Sequence, residues 1–135
     1  MNKEDYVSFE VAKLLKEAGF DVPTSTHYSN RGDVWQSSAP EDYNDDKSCK
    51  ACSRPTQALA ARWLREVYGI HVMINPYYDC SVDADGEIVD KRMYWGYMII
   101  YAATGNLAED NDERFDNYEQ ALEAGLRKVI KLIKK

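Results

Sequence analysis

The chain has 135 residues, a size that predicts a single domain over 1–135 built around one hydrophobic core. Its net charge of −6 disfavours a nonspecific nucleic-acid binder, because such proteins bind through Lys and Arg side chains that neutralise phosphates. No apolar run reaches the roughly 20 residues of a membrane span, and charged residues interrupt the N-terminal stretch where a signal peptide would be apolar. We therefore expect a cytoplasmic protein without a membrane segment.

The first predicted element is a helix over 8–18. Its apolar residues recur at the spacing of one helix face, and charged residues occupy the other face. Ser8 is suited to cap the first amide groups, and Gly19 is suited to end the helix.

The next segment predicts a weak hairpin followed by an acidic loop. Two short stretches of strand-forming residues, 25–29 and 33–37, flank an Asn-Arg-Gly turn sequence. Polar and turn-forming residues come after them, so we expect a weakly structured acidic loop near 39–53.

A second helix is predicted over 54–68. Pro55 suits the first helical position, where its missing amide costs nothing, and Gly69 fits the end of the helix.

Two strands joined by a tight turn follow. Apolar and polar residues alternate over 70–78, and Pro76 favours a sheet edge or a strand end because it lacks a backbone donor. Residues 83–86 read Asp-Ala-Asp-Gly, which is typical of a hairpin turn. The stretch 93–102 is apolar or aromatic on both faces, so we place it centrally in the sheet.

The last predicted element is a helix capped by Asn117, preceded by a second acidic loop near 104–116. The expected buried side of this helix comprises Tyr118, Leu122, Gly125, Leu126, Val129 and Ile133. Together the elements predict an α+β fold, with about three helices packed on a small antiparallel β-sheet in the order α-(ββ)-α-β-β-α.

Three stretches, YVSFEVAKLLKEAGF, RPTQALAARWLREVYGIHV and YEQALEAGLRKVIKLI, carry a resemblance that spans most of the chain. In this order, around an aromatic-rich middle, they resemble a group of uncharacterised small proteins carried on prophages and mobile elements of gut anaerobic bacteria. The resemblance implies a prophage origin. It implies no activity and no catalytic residue, because the shared motifs are patterns of helix cores.

The pair Cys49 and Cys52 leaves three interpretations open. A structural zinc site needs four ligands, usually in two close pairs, and here the further candidates are the single residues Cys80, His27 and His71. A redox pair would benefit from the helix that follows, although such a pair normally comes after a strand. The third interpretation is two loop cysteines without a ligand, which we favour.

The histidines offer little support for catalysis. Neither His27 nor His71 has a nearby nucleophile together with an orienting third group. We therefore favour a noncatalytic protein, and we expect no cofactor unless the cysteines bind zinc.

Aromatic residues are the most informative feature of the sequence. We identify a candidate partner-binding set from the predicted strands and the middle of the chain, which comprises Trp35, Tyr77, Tyr78, Tyr94, Trp95 and Tyr97. Tyr and Trp are enriched at protein interfaces because they combine a large contact area with a polar group. The alternative is that the segment 24–53 covers this sheet face.

These observations predict a small binding or regulatory protein that engages a protein partner through the aromatic sheet face or an acidic loop. An acidic protein of this kind could also act as a mimic of nucleic acid. The alternative from another class is a zinc- or thiol-dependent protein built on Cys49, Cys52 and Cys80. The sequence leaves open whether the protein is a monomer or a homodimer.

Overall fold

Three helices and six strands form the described part of the chain, which comprises residues 5–45, 52–105, 107–110 and 113–133 of a computed structural model. In chain order these elements are α1 (Phe9–Ala18), β1 (Thr24–Tyr28), β2 (Val34–Glu41), β3 (Cys52–Ser53), α2 (Gln57–Tyr68), β4 (Ile70–Val82), β5 (Ile88–Tyr101), β6 (Leu107–Asp110) and α3 (Tyr118–Ile133). The α+β class and the order of helices and hairpins agree with the sequence prediction.

The strands form two antiparallel sheets, whereas the sequence predicted one. The first sheet has the order β2-β1-β3 and the second has the order β4-β5-β6. The first hairpin pairs with β3, which the sequence did not predict, through His27 and Ser53, and it does not pair with β4, β5 or β6. Strands β3 and β6 lie inside the two segments predicted as acidic loops, and residues 46–51 lie outside the described part.

Local signals place both ends of α1 as predicted. The Ser8 hydroxyl accepts a hydrogen bond from the Val11 amide at 3.2 Å, and Gly19 ends the helix with a φ of 98°. The predicted start of α2 is wrong by three residues. Thr56 caps this helix by accepting from the Leu59 amide at 3.1 Å, and Pro55 precedes the cap.

The core lies where the three helices meet the inner part of the second sheet. Its largest fully buried side chains include Leu15, Phe20, Leu64, Ile99, Leu126 and Ile130. Helix α3 contacts β4, β5 and both other helices, so it is the element that joins the layers. In the described ranges, none of the three helices has the length and hydropathy of a membrane-spanning helix.

One predicted core position of α3 is wrong. Tyr118 is 43% exposed and lies in the first turn of the helix. Its ring meets that of Trp95 at a centroid distance of 5.7 Å.

Gly125 allows α3 to approach the second sheet closely. A Cβ atom at this position would lie 2.6 Å from Val72 Cγ1 and 3.3 Å from Tyr97 Cγ. Since both neighbours belong to packed strands, the helix would have to shift away from the sheet to admit a side chain.

We therefore expect Gly125→Ala to lower the free energy of unfolding by about 1–2 kcal/mol, although alanine favours a helix by nearly 1 kcal/mol over glycine. Urea denaturation monitored by circular dichroism measures this change. Lys131→Ala, an exposed position of the same helix, serves as the control and should shift stability by less than about 0.5 kcal/mol. Unchanged or raised stability of the Gly125 variant would contradict the close approach.

Candidate functional site

The hairpin of β4 and β5 is longer than the core that supports it. Its strands pair continuously from Ile70 opposite Tyr101 to Ser81 opposite Asp90. Strand β6 pairs with β5 over Met98–Ile100, and the Phe115 backbone pairs with Trp95. Beyond these contacts the described residues contain no third strand, so residues 78–93 form a two-stranded extension that we call the hairpin arm.

One face of the hairpin arm is apolar and exposed. The register places Tyr78 opposite Met93, Cys80 opposite Lys91 and Val82 opposite Ile88. Residues at alternate positions of a strand share a face, so Tyr78, Cys80 and Met93 continue the face on which Ile74 and Tyr97 meet the helices. A register shift between Ser81 and Val82 brings Ile88 opposite Val82, so Ile88 belongs to this face through its cross-strand pairing. We call the apolar residues of this face, Tyr78, Cys80, Val82, Ile88 and Met93, the arm face. Lys91 lies among them, opposite Cys80.

The residues of the arm face are exposed as one contiguous group, whereas apolar residues on a protein surface are commonly exposed singly. Tyr78, Val82 and Ile88 are each about 60% exposed, and Met93 is 43% exposed. The Lys91 ammonium lies 5.0 Å from the centre of the Tyr78 ring, which leaves the rest of the surface apolar. Contiguous exposed apolar groups of this kind are typical of surfaces that another molecule covers.

The opposite face of the hairpin holds the base of the arm in place. The rings of Tyr77 and Tyr94 stack at a centroid distance of 5.3 Å. The Arg114 guanidinium lies 4.4 Å from the Tyr94 ring centre and forms an ion pair with Asp79. Tyr77 also covers Gly96, where a Cβ atom would lie 3.1 Å from the ring. These contacts occupy the polar side of the hairpin and leave the arm face uncovered.

The outer edge of β4 is interrupted at Pro76. Trp95 exchanges both of its backbone hydrogen bonds with Phe115 at 2.9 Å, on the side away from β4. Pro76, which lies opposite Trp95 on β4, therefore directs its nitrogen to the free edge of that strand. Because proline carries no amide proton, a strand added along this edge would lose a hydrogen bond there. The edge position predicted for Pro76 agrees with the strand order.

The tip of the arm is acidic. Asp83 Oδ1 accepts from the amides of Asp85 and Glu87 at 2.9 and 3.0 Å, and Gly86 has a φ of 83°, as the predicted turn requires. Asp83, Asp85, Glu87 and Asp90 form no ion pair with any residue of the described part. No cation of the described part therefore neutralises their negative charge.

The six aromatic residues predicted as a binding set do not share one surface. Tyr97 is only 4% exposed, because it packs in the core beside Gly125 and Phe115. Trp35 is 57% exposed but belongs to the first sheet, opposite His27. The other four lie on the β4–β5 hairpin, and Tyr78 alone among them belongs to the arm face.

The apolar residues nearest the tip were not among the predicted site residues. Val82, Ile88 and Met93 flank a turn motif, and the predicted strands stopped short of the first two. The available signal was the alternation in the stretch YYDCSV, which continues beyond Pro76. The segment 24–53, which was the alternative cover for this sheet face, contributes strands to the other sheet.

The cysteines are separated in the fold. Cys52 lies in β3 opposite Tyr28 and is 1% exposed, which corrects its prediction as a loop residue. Cys80 is exposed on the arm, and Cys49 lies outside the described residues. Within the described ranges, no three His, Cys, Asp or Glu side chains come together as metal ligands do.

The histidines also lie apart from the cysteine on the arm. His27 stacks on Tyr43 with a ring-centroid distance of 4.1 Å, on the outer side of the first sheet. His71 is exposed on β4. Neither arrangement brings together the nucleophile, base and orienting group of covalent catalysis.

A groove with a volume of about 610 Å³ lies between α3 and the segment before α1. Polar groups along it already bond to one another. Glu123 Oε2 accepts from the Ser8 amide at 3.0 Å, and Gln57 Nε2 donates to the Glu119 carbonyl at 3.0 Å. These bonds join α3 to neighbouring segments, so the polar groups of the groove hold parts of the fold together.

A comparison of the chain with protein-family models, curated proteins and solved structures finds no match. The resemblance to prophage proteins therefore stays a prediction. The arm face is the strongest candidate site because it combines exposure, apolar character and a defined geometry in one place.

Burial raises the pKa of Cys52 to about 11, against the opposing effect of Lys16 and Lys13. The thiol is therefore protonated at pH 8, where a thiolate would be needed for attack. We expect a thiol-specific reagent at pH 8 to modify Cys80 at least about tenfold faster than Cys52 in the folded protein. Peptide mapping by mass spectrometry after timed labelling measures both rates.

Labelling in urea is the control, since both thiols should then react at similar rates. Fast native labelling of Cys52 would contradict its burial in the core.

Proposed function

We propose that this protein is a noncatalytic binding domain whose interface with a protein partner is the arm face. The supporting observation is that five residues of the hairpin arm form an exposed face on a two-stranded extension. Interfaces of this type combine aromatic and Met side chains at the centre with polar residues at the rim. Tyr78 and Met93 would form such a centre, and the acidic tip would form such a rim.

The hairpin arm contributes little to the domain's own core, which supports a role outside folding. All of the largest fully buried side chains lie outside residues 78–93. A two-stranded hairpin is marginally stable in water by itself and gains stability when another element covers its apolar face. A partner that covers the arm face would therefore stabilise the arm as it binds.

The alternative proposal, a zinc- or thiol-dependent protein, has less support. Cys52 belongs to the core side of the first sheet, and Cys80 belongs to the arm of the second sheet. A prophage origin, a regulatory role, a cytoplasmic location and the choice between monomer and homodimer remain predictions from the sequence.

Site-specific crosslinking tests the proposal. A photoreactive amino acid replaces Tyr78 on the arm face, and in a matched protein it replaces Val34, which is 53% exposed on β2. Both proteins are expressed in cells of the organism from which the sequence comes. We expect a discrete crosslinked product from position 78 and none from position 34, because the partner buries the arm face.

A third protein carries the photoreactive residue at position 78 together with Ile88→Ser. Its yield of the same product should fall at least about threefold, because a polar side chain interrupts the apolar contact. Equal products from positions 78 and 34, or no product from either, would contradict the proposal.

A further inference from the structure

We infer that the occupant of the arm face is an amphipathic helix of another protein, with Lys or Arg residues beside its apolar stripe. This inference rests on the proposed function and specifies the partner's chemistry. It follows from three properties of the described residues, which are the layer geometry of the second sheet, the charge of the arm tip and the burial of the chain's own helices.

The layer geometry comes from the inner part of the same sheet face. There α3 lies on β4 and β5, close enough that Gly125 touches Val72 and Tyr97. The arm continues this face outward with the same two strands and no helix of the described part over its end. Two strands are about 10 Å wide, close to the diameter of one helix. The natural cover for the arm face is therefore a helix that extends the existing layer.

The length of the arm face sets the length of its occupant. The strand rises about 3.3 Å per residue, so the five residues from Tyr78 to Val82 span roughly 16 Å. A helix of about 11 residues covers the same distance, which corresponds to three turns. Its contact stripe needs three or four apolar residues at helical spacing.

The charge of the occupant follows from the unpaired carboxylates of the tip. Asp83, Asp85 and Glu87 lack an ion pair within the described residues. Asp90 pairs with Ser81 and lies on the opposite face of the arm, so it does not count toward this charge. The nearest cations on the arm are Lys91, which lies over the Tyr78 ring, and Arg92. A basic helix would gain these carboxylates as partners, and the net charge of −6 would speed its approach at low salt.

A second copy of this chain fits the arm face less well. The apolar stripes of its helices are already buried, as Ala12 and Leu15 of α1 and Leu126 and Val129 of α3 show. Two arm faces packed on each other would also bring equally charged hairpins together. Addition of a strand to the β4 edge meets the missing donor at Pro76.

A pair of synthetic peptides tests the inference. The first has 14 residues, with Leu on one face of the helix and Lys on its flanks. The second replaces every Lys with Glu and keeps the Leu stripe. Fluorescence anisotropy of labelled peptides measures the dissociation constants for the full chain at low and high salt.

We expect the Lys peptide to bind at least about tenfold more tightly than the Glu peptide, and the difference to shrink at high salt. Tyr78→Ser combined with Ile88→Ser should weaken binding of the Lys peptide at least about tenfold. Val34→Ser, an exposed apolar position of the first sheet, is the matched control and should leave affinity unchanged.

A second variant tests the charge and keeps the arm face intact. Asp85→Asn combined with Glu87→Gln should weaken the Lys peptide at least about threefold and leave the Glu peptide no weaker. Circular dichroism establishes that each variant is folded before it is titrated.

Each contrary outcome has a defined meaning. The inference would be overturned if the Lys peptide bound the arm variants as tightly as the parent, if neither peptide bound, or if both bound equally. The crosslinking product at position 78 decides the proposed function separately, so a partner crosslinked there without Lys-peptide preference leaves that proposal standing. If the parent chain forms dimers and the variant with Tyr78→Ser and Ile88→Ser does not, the occupant of the arm face is a second copy and the inference is overturned.

Discussion

The close contact between α3 and the inner half of the β4–β5 hairpin is the interaction on which the rest of the structure depends. Gly125 lets the helix approach Val72 and Tyr97, and this approach seals the core between the helices and the second sheet. The helix covers only part of two strands that have 13 and 14 residues. The uncovered remainder becomes the hairpin arm, so the mismatch in length between the hairpin and its helical layer creates the candidate site.

The two faces of the arm have different roles for the same geometric reason. On one side, stacked Tyr77 and Tyr94 and the Arg114–Asp79 ion pair anchor the base of the hairpin to the segment before α3. On the other side, the arm face continues the core without a cover. A surface ion pair is worth at most about 1 kcal/mol, so these contacts position the arm more than they stabilise the domain. An arm that is positioned and yet uncovered has the geometry that the proposed interface requires.

The sequence predicted the parts of this fold that depend on local signals. The Ser8 cap, the Gly19 and Gly69 helix ends and the turn at Asp83 follow from side-chain and backbone preferences that act within a few residues. Strand β3 and the burial of Cys52 could not be predicted, because two residues gain strand geometry only by pairing with β1 across the fold. The arm face was missed for a related reason. Alternation indicates which residues share a face, but the position of α3 decides which of them are covered.

The central claim is that the domain folds without the hairpin arm, whose apolar face serves a partner. Its most direct test replaces residues 80–91 with Asn-Gly, a two-residue turn that joins the paired positions Asp79 and Arg92. We expect a folded variant whose free energy of unfolding, measured by urea denaturation, lies within about 1 kcal/mol of the parent value. An unfolded variant, or one destabilised by more than about 3 kcal/mol, would show that the arm belongs to the core and would contradict the account.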